Sequence, residues 1–168
     1  MSPRFRSSFC AYSAALPPRQ ADVGECLATA DRVLEGSFES WTKEWTRTAE
    51  RVAAAAQNCA QAGHRVSAAD AFLRAANYFR AAEFYLHGNP SDPRIQELSD
   101  RSSHCFKEGL CASAIDHHFV DIAYEGTTLP GIFYPAGPKR GPALIVQTGF
   151  DGTIDGLLPW AQATVRRG

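Results

Sequence analysis

The chain has 168 residues, of which 45% are hydrophobic, 17 are basic and 18 are acidic, a composition typical of one globular domain or two small ones. Its formal charge of -1, with no basic cluster beyond Arg166-Arg167, argues against a nucleic-acid-binding surface. No apolar run approaches the ~20 residues that span a bilayer. We therefore expect a soluble protein that binds neither nucleic acid nor membrane.

Residues 1–19 are basic and serine-rich, as in some transit peptides, but the apolar run from Cys10 to Leu16 is too broken for a signal peptide. We interpret them as an N-terminal tail that ends in a Pro17-Pro18 linker.

The five cysteines are odd in number and lack a Cys-x-x-Cys pair, which predicts reduced thiols in the cytoplasm. The grouping of His104-Cys105, Cys111 and His117-His118 matches no usual zinc spacing. We expect neither a metal nor another cofactor.

Four helices are predicted before any strand. Asp22 is a suitable N-cap for the first, with Glu25 reaching back three residues later, and Gly36 ends it. Ser67 and Asp70 form a similar pair at the start of the third helix, and Pro93 lies in the first turn of the fourth. The predicted helices cover residues 22–36, 41–62, 67–86 and 92–109.

The apolar positions of the second and third helices predict how these two segments pack. Trp41 and Trp45 share one stripe, Phe72 and Phe79 share another, and we expect all four side chains to be buried between the helices. Additional apolar residues on the third helix predict neighbours on two sides. Two interpretations of its arginines remain open. Arg74 and Arg80 either pair with Asp70 and Glu83 at helical spacing or, with Tyr78, face a substrate cavity.

The hydrophobic period changes after Gly109. Residues 117–135 predict a β-hairpin that turns at Glu125-Gly126. The apolar run from Ala143 to Val146 predicts a further strand, and Gly149 and Gly152 bracket a turn before a helix over 153–167. This pattern divides the chain into the tail at 1–19, a helical domain at 20–112 and a mixed domain at 113–168.

Four blocks with these features resemble one family in their order and spacing. They are ECLATADRVLEGSFESWTKEW at 25–45, GHRVSAADAFLRAANYFRAAEF at 63–84, YEGTTLPGIFY at 124–134 and PALIVQTGFDGT at 142–153. Together they resemble the N-terminal half of the serine-type α/β hydrolases that carry a helical cap domain. That family includes peptidase-like and acyl hydrolases, and its relatives include cofactor-free hydrolases that cut carbon–carbon bonds in polyketides and in a pseudooxynicotine.

The resemblance implies an α/β fold in which four cap helices precede a truncated hydrolase core of hairpin, one further strand and helix. It also implies a Ser-His-Asp triad acting on a small-molecule substrate, with the serine in a Gly-x-Ser-x-Gly elbow. The 168 residues contain no such elbow, and Ser102, Ser103 and Ser113 are not expected to replace it. The family motif matches at the oxyanion loop of Gly149, Phe150 and Asp151, where the Phe150 N–H is the candidate donor. A homodimer is left open.

A second interpretation comes from a different class of protein. The small and aromatic residues of 62–84 are spaced as in one tetratricopeptide unit, which would make the chain a helical interaction module without catalysis. About three such units are needed to bury a continuous core. This alternative also leaves the hairpin and the glycine turn unexplained.

Overall fold

The computed structural model describes residues 20–137, 141–149 and 152–168. The predicted tail at 1–19 lies outside the described residues. The chain divides into two compact units between Ser113 and Ala114, and each unit is described by itself.

The described residues of the first unit, 20–113, form helices and turns. Its helices are α1 (Val23–Ala30), α2 (Phe38–Gln61), α3 (Arg65–Glu83) and α4 (Pro93–Ala112), with a short 3-10 turn at Leu86–Gly88. The prediction of four helices is confirmed. α3 packs against both α2 and α4, which confirms that it has neighbours on two sides. Within the described residues, no helix combines the length and the apolar composition that crossing a membrane requires.

The core of this unit lies along α2 and α3. Trp41 and Trp45 are 7% and 2% exposed, and Phe72 and Phe79 are 3% and 1% exposed, so their predicted burial is confirmed. Alanines fill much of the rest of the α3 surface, and small side chains of this kind allow helix axes to approach closely. The Trp41 indole N–H donates to the main-chain oxygen of Ala81 at 2.7 Å, which joins the two helices through a polar bond within the apolar core.

The ends of all four helices differ from the predictions. α2 begins at Phe38, three residues before its predicted start, and Ser37 is its N-cap. α1 stops at Ala30 because residues 31–36 form turns that finish at Gly36, with a φ of 77°. α3 begins at Arg65, and the Ala68 N–H already bonds to the His64 oxygen at 2.9 Å, so Ser67 is inside the helix and is not its cap. α4 continues past Gly109 because that glycine is a packing position. A Cβ there would lie 2.9 Å from Leu73 Cγ.

The second unit contains the predicted hairpin. Strands β1 (His118–Tyr124) and β2 (Thr127–Phe133) pair antiparallel, with Tyr124 opposite Thr127. Glu125 and Gly126 have φ values of 45° and 81°, as in a two-residue type I′ turn, whose twist matches that of the strands. Pro130 lies opposite Asp121. In a two-stranded sheet each strand is an edge, and proline is tolerated there.

The predicted strand at Ala143–Val146 is wrong, because residues 141–149 have no regular secondary structure. A strand forms only where another backbone pairs with it, and no pairing of this segment occurs in the described part of the chain. Leu144 and Ile145 are 66% and 89% exposed. Apolar sequence alone therefore does not make this segment a strand.

The predicted C-terminal helix is present in two parts. A 3-10 turn covers Ile154–Leu157, and α5 covers Leu158–Val165. Pro159 lies in the first turn of α5, where its missing N–H breaks no helical hydrogen bond. The helix therefore starts later than the predicted position after Thr153.

Candidate functional site

The first predicted site is the oxyanion loop. Gly149 is exposed, whereas Phe150 and Asp151 lie outside the described residues. The Gly152 N–H donates to the Gly149 oxygen at 3.4 Å. A Cβ on Gly152 would lie 1.5 Å from Thr148 Oγ1. A side chain at position 152 would therefore require the Thr148 side chain to move, and the oxyanion role of the loop stays a prediction.

The second predicted site contains Arg74 and Tyr78. They lie one turn apart on α3, and both contact Glu25 of α1. Glu25 Oε2 accepts a hydrogen bond from the Tyr78 hydroxyl at 2.8 Å and another from Arg74 Nε at 3.1 Å. Arg51 of α2 approaches Glu25 Oε1 at 3.5 Å. The structure thus brings Arg74 and Tyr78 together around one carboxylate, and their exposure to a substrate cavity stays a prediction.

Tyr78 is completely buried, and its hydroxyl has neighbours on several sides. It accepts hydrogen bonds from the Asp22 N–H at 2.9 Å and from Cys26 Sγ at 3.9 Å, while its own proton goes to Glu25. The Trp45 ring lies 5.5 Å away between centroids. Burial raises the pKa of Tyr78 far above its usual range, although the Asp22 N–H opposes this effect. The hydroxyl is therefore a neutral hydrogen-bond donor to Glu25.

These contacts change the sequence-based description of the start of α1. Asp22 caps the helix as predicted, since its carboxylate accepts from the Glu25 N–H at 2.9 Å. The other predicted bond of the capping box, from the Asp22 N–H to the Glu25 carboxylate, is wrong. The Glu25 carboxylate instead binds Tyr78 and Arg74 of α3. Glu25 precedes Arg74 by 49 residues. Helical spacing relates residues three or four apart, so no local signal could have identified this pair.

A second buried ion pair lies near the end of α3. Arg80 Nη1 contacts Glu83 Oε1, which confirms the predicted pairing. His87 Nε2 approaches the other carboxylate oxygen of Glu83, and the Arg80 guanidinium lies 5.6 Å from the centre of the Phe84 ring. Arg80 and Glu83 are 7% and 5% exposed. Each buried charge is therefore compensated by its partner, as charges removed from water must be.

No protein-family model matches this sequence. Curated relatives do match it. The chain is 40% identical over 159 residues to the 20-hydroxy-prefusarin hydrolase FUS2 of Gibberella moniliformis, covering 91% of this chain and 38% of the relative. It is 38% identical over 165 residues to the hydrolase LUC6 of a Fusarium species, covering 95% of this chain and 39% of the relative. The resemblance to the α/β hydrolases is confirmed.

A solved structure agrees with these hydrolase relatives. The 2,6-dihydroxy-pseudo-oxynicotine hydrolase superposes with a TM-score of 0.73 at 20% identity, covering 89% of this chain and 41% of that chain. At this identity the likeness concerns the fold, and it matches part of an α/β-hydrolase fold. The chain thus spans about two fifths of the length of the relatives it matches. These matches give no support to the tetratricopeptide alternative.

Proposed function

We propose that these residues supply the helical cap and the oxyanion loop of an α/β hydrolase that cleaves an acyl, ester or carbon–carbon bond of a small molecule. The observation that carries the proposal is the 40% identity to a named hydrolase over 91% of the chain. The match is too extensive for the helical unit alone, which ends at Ser113. The proposal therefore includes both units, with residues 20–112 as the cap and 113–168 as the start of the core.

The triad serine, histidine and aspartate of this mechanism would lie in sequence beyond these residues. Ser102 is 6% exposed and donates to the Ala76 oxygen at 2.8 Å, so its hydroxyl stabilises the contact between α4 and α3. Ser113 donates to the Leu110 oxygen at 2.7 Å. Both hydroxyls have structural partners, and neither is in the strained strand-to-helix turn that activates a nucleophilic serine.

Two residue groups would contribute to catalysis and recognition. The N–H of Phe150, between Gly149 and Asp151, would stabilise the negative charge that develops on the substrate oxygen. Arg74 and Tyr78 would line the substrate cavity of the cap. The mechanism needs no cofactor. A reducing compartment, the cytoplasm, suits a chain in which the described cysteines Cys26, Cys59, Cys105 and Cys111 are free thiols.

The proposal first predicts that the 168-residue chain is catalytically inactive, because the nucleophile and its base are missing. Purified protein should show no ester or carbon–carbon bond hydrolysis above background. It should also resist a fluorophosphonate probe, with an active serine hydrolase as the positive control. Stoichiometric labelling of any serine in this chain would contradict the proposal.

A chimera tests the proposed contribution directly. The matched region of 20-hydroxy-prefusarin hydrolase is replaced by the corresponding residues of this chain, and the chimera is assayed on that enzyme's substrate. We expect activity, together with fluorophosphonate labelling of the serine that the relative provides. A soluble, folded chimera without labelling would show that these residues cannot complete a hydrolase site.

The same chimera tests the oxyanion loop. Phe150→Pro removes the proposed N–H donor and should lower kcat about 10²–10³-fold, the usual cost of losing one oxyanion-hole donor. Phe150→Leu is the matched control, because it changes the side chain and keeps the N–H. Equal activity of the two variants would exclude the Phe150 N–H from the oxyanion hole.

A further inference from the structure

Helix α1 is attached to its neighbours chiefly by polar contacts. The residues that it buries are Cys26, Thr29 and Ala30, all of them small. Its two larger apolar side chains, Val23 and Leu27, are 70% and 51% exposed. The hydrophobic free energy is roughly proportional to the apolar area removed from water. Hydrophobic contacts therefore contribute little to the attachment of α1. Hydrogen bonds and ion pairs must hold the helix in place.

The polar contacts of the N-terminal end reach one face of α3, apart from the approach of Arg51 on α2 to Glu25. Asn77 Nδ2 donates to the Gln20 oxygen at 3.1 Å, and the Tyr78 hydroxyl accepts from the Asp22 N–H at 2.9 Å. Glu25 completes the set through Tyr78 and Arg74. Residues 20–25 are therefore attached to residues 74–78 of α3 through three groups, namely two main-chain groups and the Glu25 carboxylate.

The C-terminal end of α1 is anchored separately. Arg32 Nε contacts Glu44 of α2 at 2.8 Å, and Val33 is 9% exposed. The turns at 31–36 end at Gly36, which has a φ of 77°. A helix that is anchored at one end and joined to a turn can move about that turn when the contacts at its other end break.

We propose that residues 20–30 form a strap that opens about the turn at 31–36, and that Glu25 occupies a carboxylate-binding site which the opening makes available. In the closed strap the site consists of the Tyr78 hydroxyl, Arg74 Nε and, at 3.5 Å, Arg51 Nη2. When the strap opens, a guanidinium and a neutral hydroxyl donor are left without their anion. A small molecule that carries a carboxylate replaces Glu25 there.

The charge of the site requires that its occupant be an anion. While the strap is closed, Tyr78 is completely buried and the Arg74 side chain is 25% exposed, so the carboxylate bound there is largely shielded from water. Arginine binds carboxylates through directed, charge-assisted hydrogen bonds, and such bonds are stronger in a protected site than in water. The further step, that this ligand is the substrate of the hydrolase, rests on the proposed function.

Glu25→Ala tests the strap in the 168-residue protein by amide hydrogen exchange. Hydrogen bonds to charged groups contribute enough that their loss should speed exchange at residues 22–30 about tenfold or more. Amides of α2 and α3 should keep their rates. Glu50→Ala is the matched control, since Glu50 lies on α2 and pairs with Arg101 at 2.9 Å. It should leave residues 22–30 unchanged.

Chemical rescue then tests the binding site. The substitution removes the Cγ and Cδ atoms of Glu25, and acetate has the same two-carbon carboxylate. Acetate should slow exchange of residues 22–30 in Glu25→Ala, where it takes the vacated position. In the parent protein it should speed this exchange, because it competes with Glu25 and stabilises the open strap. Chloride at equal ionic strength should have neither effect. This experiment measures amide exchange and not hydrolysis. A negative result would therefore contradict the carboxylate site without bearing on the proposed hydrolase function.

Three results would overturn the proposal. Unchanged exchange at residues 22–30 would show that Glu25 does not hold the strap. Equal acceleration throughout α2 and α3 would show global destabilisation, and equal effects of acetate and chloride would remove the carboxylate site. If Glu25→Ala does not fold, Tyr78→Phe is measured by the same exchange experiment. This substitution keeps the aromatic ring against Trp45 and removes the hydroxyl. It must accelerate amide exchange selectively at residues 22–30, or the proposal fails.

Discussion

The two units of this chain use apolar residues in opposite ways. In the helical unit most large apolar side chains of α2 and α3 are buried, with Tyr78, Phe79 and Val52 at 1% exposure or less. In the second unit the hairpin residues Phe119 and Ile122 are 45% and 53% exposed, and Ile145 is 89% exposed. A helix forms most of its backbone hydrogen bonds internally, so it needs a neighbour only to cover its apolar face. A strand also needs a neighbouring strand to pair with its backbone N–H and C=O groups. Among the described residues, similar hydrophobicity therefore produces an extended core in the helical unit, whereas the second unit buries Leu158 at 4% exposure.

Amide exchange should show the largest difference between the units. Amides in the buried turns of α2 and α3 should exchange only by global unfolding, which typically requires about 5–15 kcal/mol. Residues 141–149 have no secondary structure and should exchange almost freely. The measurement is exchange followed by mass spectrometry on the monomer. Equal protection of Ala143–Val146 and α3 would show that the second unit has a complete fold of its own.

Phe79→Ala tests how much the core of the helical unit depends on one side chain. Phe79 is 1% exposed, and the Arg101 guanidinium lies 4.3 Å from its ring centre. Its truncation should lower the free energy of unfolding by about 3–5 kcal/mol, measured by urea denaturation followed by circular dichroism. Phe119→Ala in the exposed hairpin is the control and should change it by about 0.5 kcal/mol or less. Similar losses for both would remove the contrast between the units.

Cys105 provides a pH-dependent test of the same core. Burial raises the pKa of its thiol from 9.0 to about 11. The folded protein therefore holds this proton more tightly than the unfolded chain does. The resulting stability is fully present below about pH 9 and is lost as the pH rises through 11, with a total of about 3 kcal/mol. In urea denaturation from pH 8 to 11, the free energy of unfolding should decline less for Cys105→Ala than for the parent protein. Cys111→Ala, at an exposed position, should decline like the parent.

Gly109→Ala should give the smallest effect. A new Cβ would lie 2.9 Å from Leu73 Cγ and 3.2 Å from the Leu73 nitrogen. Overpacking costs about 1–3 kcal/mol, and the better helix propensity of alanine returns about 1 kcal/mol. A net loss of about 1 kcal/mol is expected in urea denaturation. Gly88→Ala meets no atom within 4 Å and should be nearly neutral. A stabilised Gly109→Ala protein would show that α3 and α4 are less closely packed than described.

The sequence predicted the features that depend on local signals. Helical stripes identified four helices and the burial of Trp41 and Phe79, and the Glu125-Gly126 turn identified the hairpin. Each of these signals lies within a few residues. The interpretation of Ala143–Val146 failed because strand formation depends on a partner, which an apolar run does not specify.

The candidate site was predicted only in part for a similar reason. Arg74 and Tyr78 are candidates from the sequence because polar groups stand among aromatic residues on α3. The partner that joins them, Glu25, lies on a different helix. Sequence spacing assigned Glu25 to its own helix cap, since capping boxes are local. Only the packing of α1 on α3 shows that the carboxylate faces the other way.

The hydrogen bond from the Trp41 indole to the Ala81 oxygen has an evolutionary consequence. The donor is a side chain and the acceptor is main chain, so the bond itself restricts the amino acid at position 41 and imposes no requirement on the side chain at position 81. Phenylalanine at 41 would keep an aromatic ring but leave a carbonyl near the end of α3 without this donor. Because only one of the two positions is restricted, a search for correlated substitutions among homologues would find no signal from this bond between α2 and α3.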